Sequence, residues 1–151
     1  MEYRLIQAVP ADETWLEDLR RQVYQDLFQA TWGGWDESRH SRHFSECMRK
    51  GHISIIEVNG ARVGMIQLLE GSDNIEVAEI QVQPSHQSHG IATRLLSDII
   101  TKAQQQRKHV RLRVGLKNEG AFRLYRRLGF RHVSQSETHN HMEYEVTEFS
   151  R

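Results

Sequence analysis

The stretch from Ile75 to Ile100 constrains this chain more than any other. Apolar residues alternate up to Val82, and Pro84 closes that run. Gln87-Ser88-His89-Gly90-Ile91-Ala92 then leads directly into Thr93-Arg94-Leu95-Leu96-Ser97-Asp98-Ile99-Ile100, which has helical periodicity. The order is strand, short turn, helix, with a glycine where the helix begins. Such a corner points unpaired backbone N–H groups and the positive end of the helix dipole into one small space. That space suits a phosphate or pyrophosphate, and Gly90 has no side chain to obstruct it. A plain tight turn is the other reading of the same residues.

The rest of the chain sets this corner in a mixed α/β pattern. Residues 3–8 alternate weakly as a first strand, and Pro10-Ala11-Asp12 breaks it, with Asp12 as a helix cap. Trp15, Leu16, Leu19, Val23, Leu27 and Phe28 have the spacing of an amphipathic helix over Glu13 to Phe28. Gly33-Gly34 interrupts, and Asp36 or Ser38 caps a second helix that reaches about Lys50. His52 to Val58 and Arg62 to Glu70 flank Asn59-Gly60, a strong hairpin signal because both turn residues tolerate positive φ. Ile75 to Gln83 is the next strand, followed by a helix to about Gln106 and a strand from Val110 to Gly115. Asn118 to Leu128 reads as a short helix stopped by Gly129. Arg131 to Ser136 and His139 to Val146 are the last strand candidates. No repeat, low-complexity tract or linker divides the 151 residues, so one domain spanning 1–151 is expected. The expected fold is a mixed, mostly antiparallel sheet of six to seven strands flanked by helices.

Charge excludes one large class of function. Lys+Arg and Asp+Glu balance at 20 each, whereas general nucleic-acid binders show a basic excess. Any anion site is therefore local. The single Cys47 excludes an internal disulfide and fits a reducing compartment. The N-terminus lacks the apolar core of a signal peptide, and no stretch has the length of a membrane span. A cytoplasmic protein without nucleic-acid or membrane partners is the resulting expectation.

A second motif narrows the function. In Asn118-Glu119-Gly120-Ala121-Phe122-Arg123-Leu124-Tyr125-Arg126-Arg127-Leu128-Gly129-Phe130, residues Ala121, Leu124, Tyr125 and Leu128 share one helix side. Tyr125 thus sits at the edge of an apolar face, where packing alone also explains a tyrosine. Read together, the run from Val82 to Ala92 and the run from Asn118 to Phe130 closely resemble the GCN5-related N-acetyltransferase (GNAT) family. The first run matches its acyl-CoA pyrophosphate loop, Gln/Arg-x-x-Gly-x-Gly/Ala, with Ala92 in place of the commoner glycine. The second matches its Asn…Ala…Leu-Tyr…Leu-Gly-Phe signature. Gly120 departs from it in a way that loosens the helix start by about 1 kcal/mol relative to Ala.

The resemblance implies roles by position. Backbone N–H groups of Gln87, Ser88, His89, Gly90, Ile91, Ala92 and Thr93 would hold the pyrophosphate of acetyl-CoA. The strand end at Ile80, Gln81 and Val82 would splay from its neighbour and pair with the pantetheine arm. Asn118, with Ala121 and Tyr125 on the same helix, would complete the cofactor site, and Tyr125 would protonate the leaving thiolate. The implied reaction is direct transfer of acetyl to a primary amine, with no metal. A base is needed because an alkylammonium, with a pKa of about 10, is no nucleophile. Glu79 and Glu76 are the candidates, Glu79 favoured through a water; His52, His139 and His141 are further ones. Strand parity places the two glutamates on opposite faces unless a bulge intervenes.

The acceptor side of the resembled fold points to Tyr24, Trp32, Trp35 and His139 as substrate-binding candidates. Aromatic walls beside Gly33-Gly34 suit an amine pocket, and plugging the core between two helices is the competing use of both tryptophans. A small-molecule amine is the first expectation for the acceptor. A protein N-terminus or lysine is the second, and a CoA-binding sensor without catalysis the third. Dimers are common in the resembled family, so a homodimer is a candidate assembly. His40, His43 and Cys47 are spaced to share a helix face, but no fourth ligand accompanies them, so no metal is expected. Arg107-Lys108 and Arg126-Arg127 could meet the CoA 3′-phosphate or face water.

Overall fold

A computed structural model describes residues 2–87 and 89–146. Among them are seven strands: β1 (Tyr3–Gln7), β2 (Ile53–Val58), β3 (Ala61–Glu70), β4 (Asn74–Val82), β5 (His109–Gly115), β6 (Arg131–Gln135) and β7 (His139–Tyr144). The four α-helices are α1 (Glu13–Trp32), α2 (Glu37–Lys50), α3 (Ile91–Gln106) and α4 (Glu119–Leu128). One mixed sheet carries the order β1-β2-β3-β4-β5-β7-β6. β4 and β5 pair in parallel, as a strand–helix–strand connection requires, while β1–β2, β2–β3, β5–β7 and β6–β7 are antiparallel.

The chain divides into two compact units. The first comprises the chain through Gln67 together with Glu79–Ile91; the second comprises Leu68–Ala78 and the chain from Ala92 onward. In the first, Leu16 and Leu19 of α1 pack with Phe44 and Cys47 of α2 and with Ile53, Ile55 and Met65 of the sheet. Gly64 lets β3 lie close to β4: a Cβ there would collide with the Gln81 carbonyl oxygen and come within 3.2 Å of the Val82 Cα. In the second unit, Leu95, Leu96, Ala103, Val110, Phe130 and Met142 are almost fully buried. There Phe130 lies between Tyr125 and Tyr144, with ring centroids 6.0 and 5.9 Å away.

Element ends differ from the expected ones for local reasons. α1 runs four residues past Phe28 to Trp32, because nothing stops it before Gly33 takes a left-handed φ of 76°. Asp36, not Ser38, caps α2, accepting from Arg39 N–H at 3.0 Å. Asp12 precedes α1 but does not cap it with its side chain; its carboxylate accepts from Val9 N–H at 2.9 Å and pairs with Arg62 at 2.8 Å. β2 starts at Ile53, not His52, whose φ of 57° belongs to the turn that follows Gly51. β6 and β7 stop at Gln135 and Tyr144, one and two residues short of the expected ends. A bulge between His132 and Ser134 absorbs the register shift between these two strands.

Candidate active site

The turn into α3 is built from the sequence upward. Pro84 opens a single 3₁₀ turn, Pro84–His86, closed by His86 N–H on the Gln83 carbonyl at 2.8 Å. Gln87 N–H follows on the Pro84 carbonyl at 3.3 Å, so this amide already has an acceptor. The Gln87 side chain reaches back to donate to the Val82 carbonyl at 2.9 Å, making it a strut across the turn. Gly90 then adopts a φ of 81°, a backbone that L side chains rarely take, and α3 begins at Ile91. The amides of Gly90, Ile91, Ala92 and Thr93 precede the first i to i−4 bond of α3, so no carbonyl within the helix receives them. Ser88 and the side chain of Trp32 lie outside the described residues.

β4 carries both candidate bases, in different surroundings. Ile75 and Val77 are buried in strict alternation, and the alternation lapses across Ala78-Glu79-Ile80 before Gln81 and Val82 are both buried. The parallel register with β5 runs from Asn74 opposite His109 to Val77 opposite Leu112. Glu76 stands opposite Arg111 within it, whose guanidinium engages Glu143 at 3.1 Å. Glu79 belongs to a polar cluster in the first unit. Its Oε1 receives Arg20 at 3.4 Å, and its Oε2 receives the Tyr24 hydroxyl and the Gln81 amide, each at 3.3 Å. Arg20 is only 4% exposed, lies over the Tyr24 ring at 4.9 Å, and sets its other amino group 3.4 Å from His43 Nδ1. Tyr24 and Glu79 are thus brought together as a pair, and Arg20, His43 and Gln81 complete the group.

Arg20 is the member of this cluster that reading the sequence passed over. The signal was present: Arg20 falls four residues after Leu16 and three before Val23, inside the apolar stripe of α1. A charge placed there must find a partner in the interior.

The other candidates are placed as follows. Trp35 is occupied: its ring stacks on Phe28 at 4.8 Å, lies 4.9 Å from His40, and its N–H donates to Glu37 at 2.7 Å. Glu37 also accepts two hydrogen bonds from Arg21, and these, with the one from Trp35, hold its carboxyl down at about 2. His40 is fully buried between Trp35 and Phe44, and burial pushes its pKa down. His139 belongs to the second unit, where its Nδ1 is 2.7 Å from Thr138 Oγ1. Asn118 caps α4, its side chain accepting from Ala121 N–H at 3.3 Å, and Gly129 ends the helix with a φ of 106°. Tyr125 is buried on that helix at 8% exposure.

Cys47 offers no nucleophile. Its thiol lies 3.4 Å from the Gln67 side-chain oxygen, and burial pushes its pKa up to about 12. The cavity beside it, walled in part by Leu16, Arg20, Phe44 and Gln81, measures about 10 Å³, room for one water at most. Among the described residues no group of three or more His, Cys, Asp or Glu is arranged to hold a metal. Nor, among them, is any helix long and apolar enough to cross a membrane.

The sequence profile of the acetyltransferase (GNAT) family matches residues 15–130. The chain belongs to this family. It is 37% identical over 84 residues to an uncharacterized N-acetyltransferase of Methanocaldococcus jannaschii, a match covering 50% of this chain and 37% of that protein. The chain therefore spans little more than a third of this relative's length. In fold it is similar to the PaiA N-acetyltransferase of Thermoplasma acidophilum in complex with coenzyme A, with a TM-score of 0.74 and 16% identity, covering 97% of this chain and 100% of that one. It is also similar to Arabidopsis thaliana Naa50 in complex with a bisubstrate analogue, CoA-Ac-MVNAL, with a TM-score of 0.65 and 15% identity over 95% of this chain and 98% of that one. The seven-stranded mixed sheet with four helices is the GNAT fold.

Proposed function

We propose that the chain is a single acetyltransferase domain that moves the acetyl group of acetyl-CoA directly to a primary amine in a ternary complex. The acceptor is an amine on a small molecule or a peptide. One observation carries the proposal: in a member of this family, Gly90 holds a left-handed turn that opens the N-terminus of α3. This is the corner that a pyrophosphate fits.

Acetyl-CoA supplies the activated acyl carbon. The protein does the rest. Amides of His89, Gly90 and the first turn of α3 receive the pyrophosphate, while the Gln87 amide is already held by Pro84. Backbone at Ile80, Gln81 and Val82 takes the pantetheine arm. Asn118, Ala121 and Tyr125 keep the roles their place in the family signature gives them.

An amine arrives protonated at neutral pH. Glu79 is the better base of the two candidates, because it sits among Arg20, Tyr24 and Gln81, which fix its carboxylate in place. Both of its oxygens already receive donors, so the proton reaches it through a water. The freed amine forms the N–C bond as a backbone N–H stabilises the growing negative charge on the acetyl oxygen. The C–S bond breaks, and Tyr125 gives its proton to the departing sulfur. The remaining amine proton leaves to solvent, from which Tyr125 is reprotonated.

A thiol-release assay with acetyl-CoA and panels of polyamines, aminoglycosides, amino acids and peptides tests this. We expect turnover with one acceptor class. Tyr125→Phe should slow it roughly a hundredfold with little change in acetyl-CoA affinity. Unchanged turnover in that variant would remove Tyr125 as the acid. Tight acetyl-CoA binding without turnover of any amine would leave a cofactor sensor in place of an enzyme.

A further inference from the structure

We propose that the acceptor is an α-amino group, as on a peptide N-terminus, and that Arg20 is the residue that selects it over alkylammonium acceptors. The inference rests on the reading of Glu79 as the base of an acetyl transfer to an amine, and it names the class of that amine. In the cluster of Arg20, Tyr24, His43, Glu79 and Gln81, Glu79 is the only carboxylate and Arg20 the only permanent cation. Their charges offset each other at 3.4 Å. A lone carboxylate draws an ammonium toward itself. This one has a guanidinium against it, so an arriving cation meets both charges at once.

Burial makes this offset permanent. An exposed ion pair opens readily, because water receives both partners. Arg20 has no such exit: its side chain is 5% exposed, lies over the Tyr24 ring at 4.9 Å and shares a cavity wall with Leu16 and Phe44. Among the described residues Glu79 is the carboxylate it pairs with, and its buried Nε has no hydrogen-bond partner there. A guanidinium keeps its proton in a protein, so leaving Glu79 would strand a buried charge. Glu79 keeps a fifth of its side chain open to water, and an acceptor can reach it. Such a base favours the amine that arrives neutral. A chain-terminal α-amino group has a pKa of about 7.7–8.0, and a lysine-like alkylamine one of about 10.4. At pH 7.5 roughly a third of the first is neutral, against about one part in a thousand of the second. The neutral form carries the lone pair that makes the N–C bond, and Arg20 does not repel it. Polyamines bring several positive charges to a cluster with no net charge to receive them.

The test is thiol release from acetyl-CoA at pH 7.5 with two peptides of one sequence. One has a free N-terminus and an acetylated lysine; the other has an acetylated N-terminus and a free lysine. Spermidine is the third acceptor. In the parent we expect kcat/KM at least about a hundredfold higher for the free N-terminus than for either alkylamine acceptor. In Arg20→Met, shown by circular dichroism to be folded, the unpaired Glu79 should attract cations. The KM for the lysine peptide and for spermidine should then fall, and the preference should narrow by at least about tenfold. Arg20→Lys, which keeps a positive charge, should keep the preference. A merely structural role for Arg20 would lower turnover of all three acceptors together and leave their ratio unmoved. The comparison in the parent needs no variant: a lysine peptide or spermidine that matches the free N-terminus would overturn the inference and leave the acetyltransferase standing. A folded Arg20→Met with the parent's preference would overturn it equally. No turnover of any amine would remove the acetyl-transfer reading itself, and this inference with it.

Discussion

Arg20→Met tests the group built around Glu79. Methionine keeps most of the arginine stem's volume, so the change removes charge and hydrogen bonds more than packing. The Arg20–Glu79 contact is 3.4 Å, with the arginine side chain 5% and the glutamate side chain 20% exposed. At an effective dielectric constant of about 20, a pair at that distance attracts by about 5 kcal/mol before desolvation is subtracted. Breaking a fully buried pair costs about 3–5 kcal/mol, because the remaining charge is stranded. Here Glu79 keeps donors from Tyr24 and Gln81, and water reaches a fifth of its side chain. The expected loss is therefore about 2–3 kcal/mol. At about 2–4 °C per kcal/mol for a chain of this size, the Tm should fall by roughly 5–10 °C. Urea denaturation at pH 7 gives the free energy, and Glu79→Gln and the double variant complete a cycle. The double variant should be more stable than the sum of the single losses allows, since it strands no charge. A loss in Arg20→Met below about 0.5 kcal/mol, or strict additivity in the cycle, would show that the pair contributes nothing, against the scale set for buried pairs.

Two further outcomes follow from local electrostatics. Burial holds the Cys47 thiol up near 12, so a thiol reagent at pH 8 should label the native protein no faster than it unfolds, and Cys47→Ala should retain acetyl transfer; rapid labelling of the folded chain would contradict this. Glu37 is held at about 2 by Arg21 and Trp35, well below an ordinary glutamate. A depressed carboxyl stabilises the fold above its unfolded pKa and loses that contribution as pH falls toward the folded one. The stability gap between the parent and Glu37→Gln should thus be full at pH 7, shrink below about pH 5, and close near pH 2. A gap that is the same at pH 7 and at about pH 3 would refute the assignment, since the loss must already have begun there.

Periodicity and turn chemistry made most of the fold legible. Asn59-Gly60, Pro84 and Gly129 mark ends that local backbone geometry fixes, and all three fall where turns are found. Helix ends set by absence of a stop were harder: α1 continues through Gln29, Ala30 and Thr31 because nothing in them breaks a helix. Gly64 could be seen only as a weak spot in a strand, since the β4 backbone it admits is distant in sequence. The turn into α3, where the cofactor is proposed to bind, was readable because its residues are contiguous. The Glu79 cluster was not, because Arg20, Tyr24 and His43 come from two helices whose rotation about their axes fixes which side chains meet β4. Intermediate exposure at Ala78, Glu79 and Ile80 alike breaks the strand alternation that would have separated Glu79 from Glu76.

The account stands on main-chain amides at the turn into α3 receiving a pyrophosphate. Calorimetric titration of acetyl-CoA into the parent and into Gly90→Trp addresses that directly. Tryptophan is strained at a φ of 81° and would fill the corner. We expect saturable binding to the parent and none to a Gly90→Trp variant that is shown by circular dichroism to be folded. Equal affinity of the two proteins would contradict the claim.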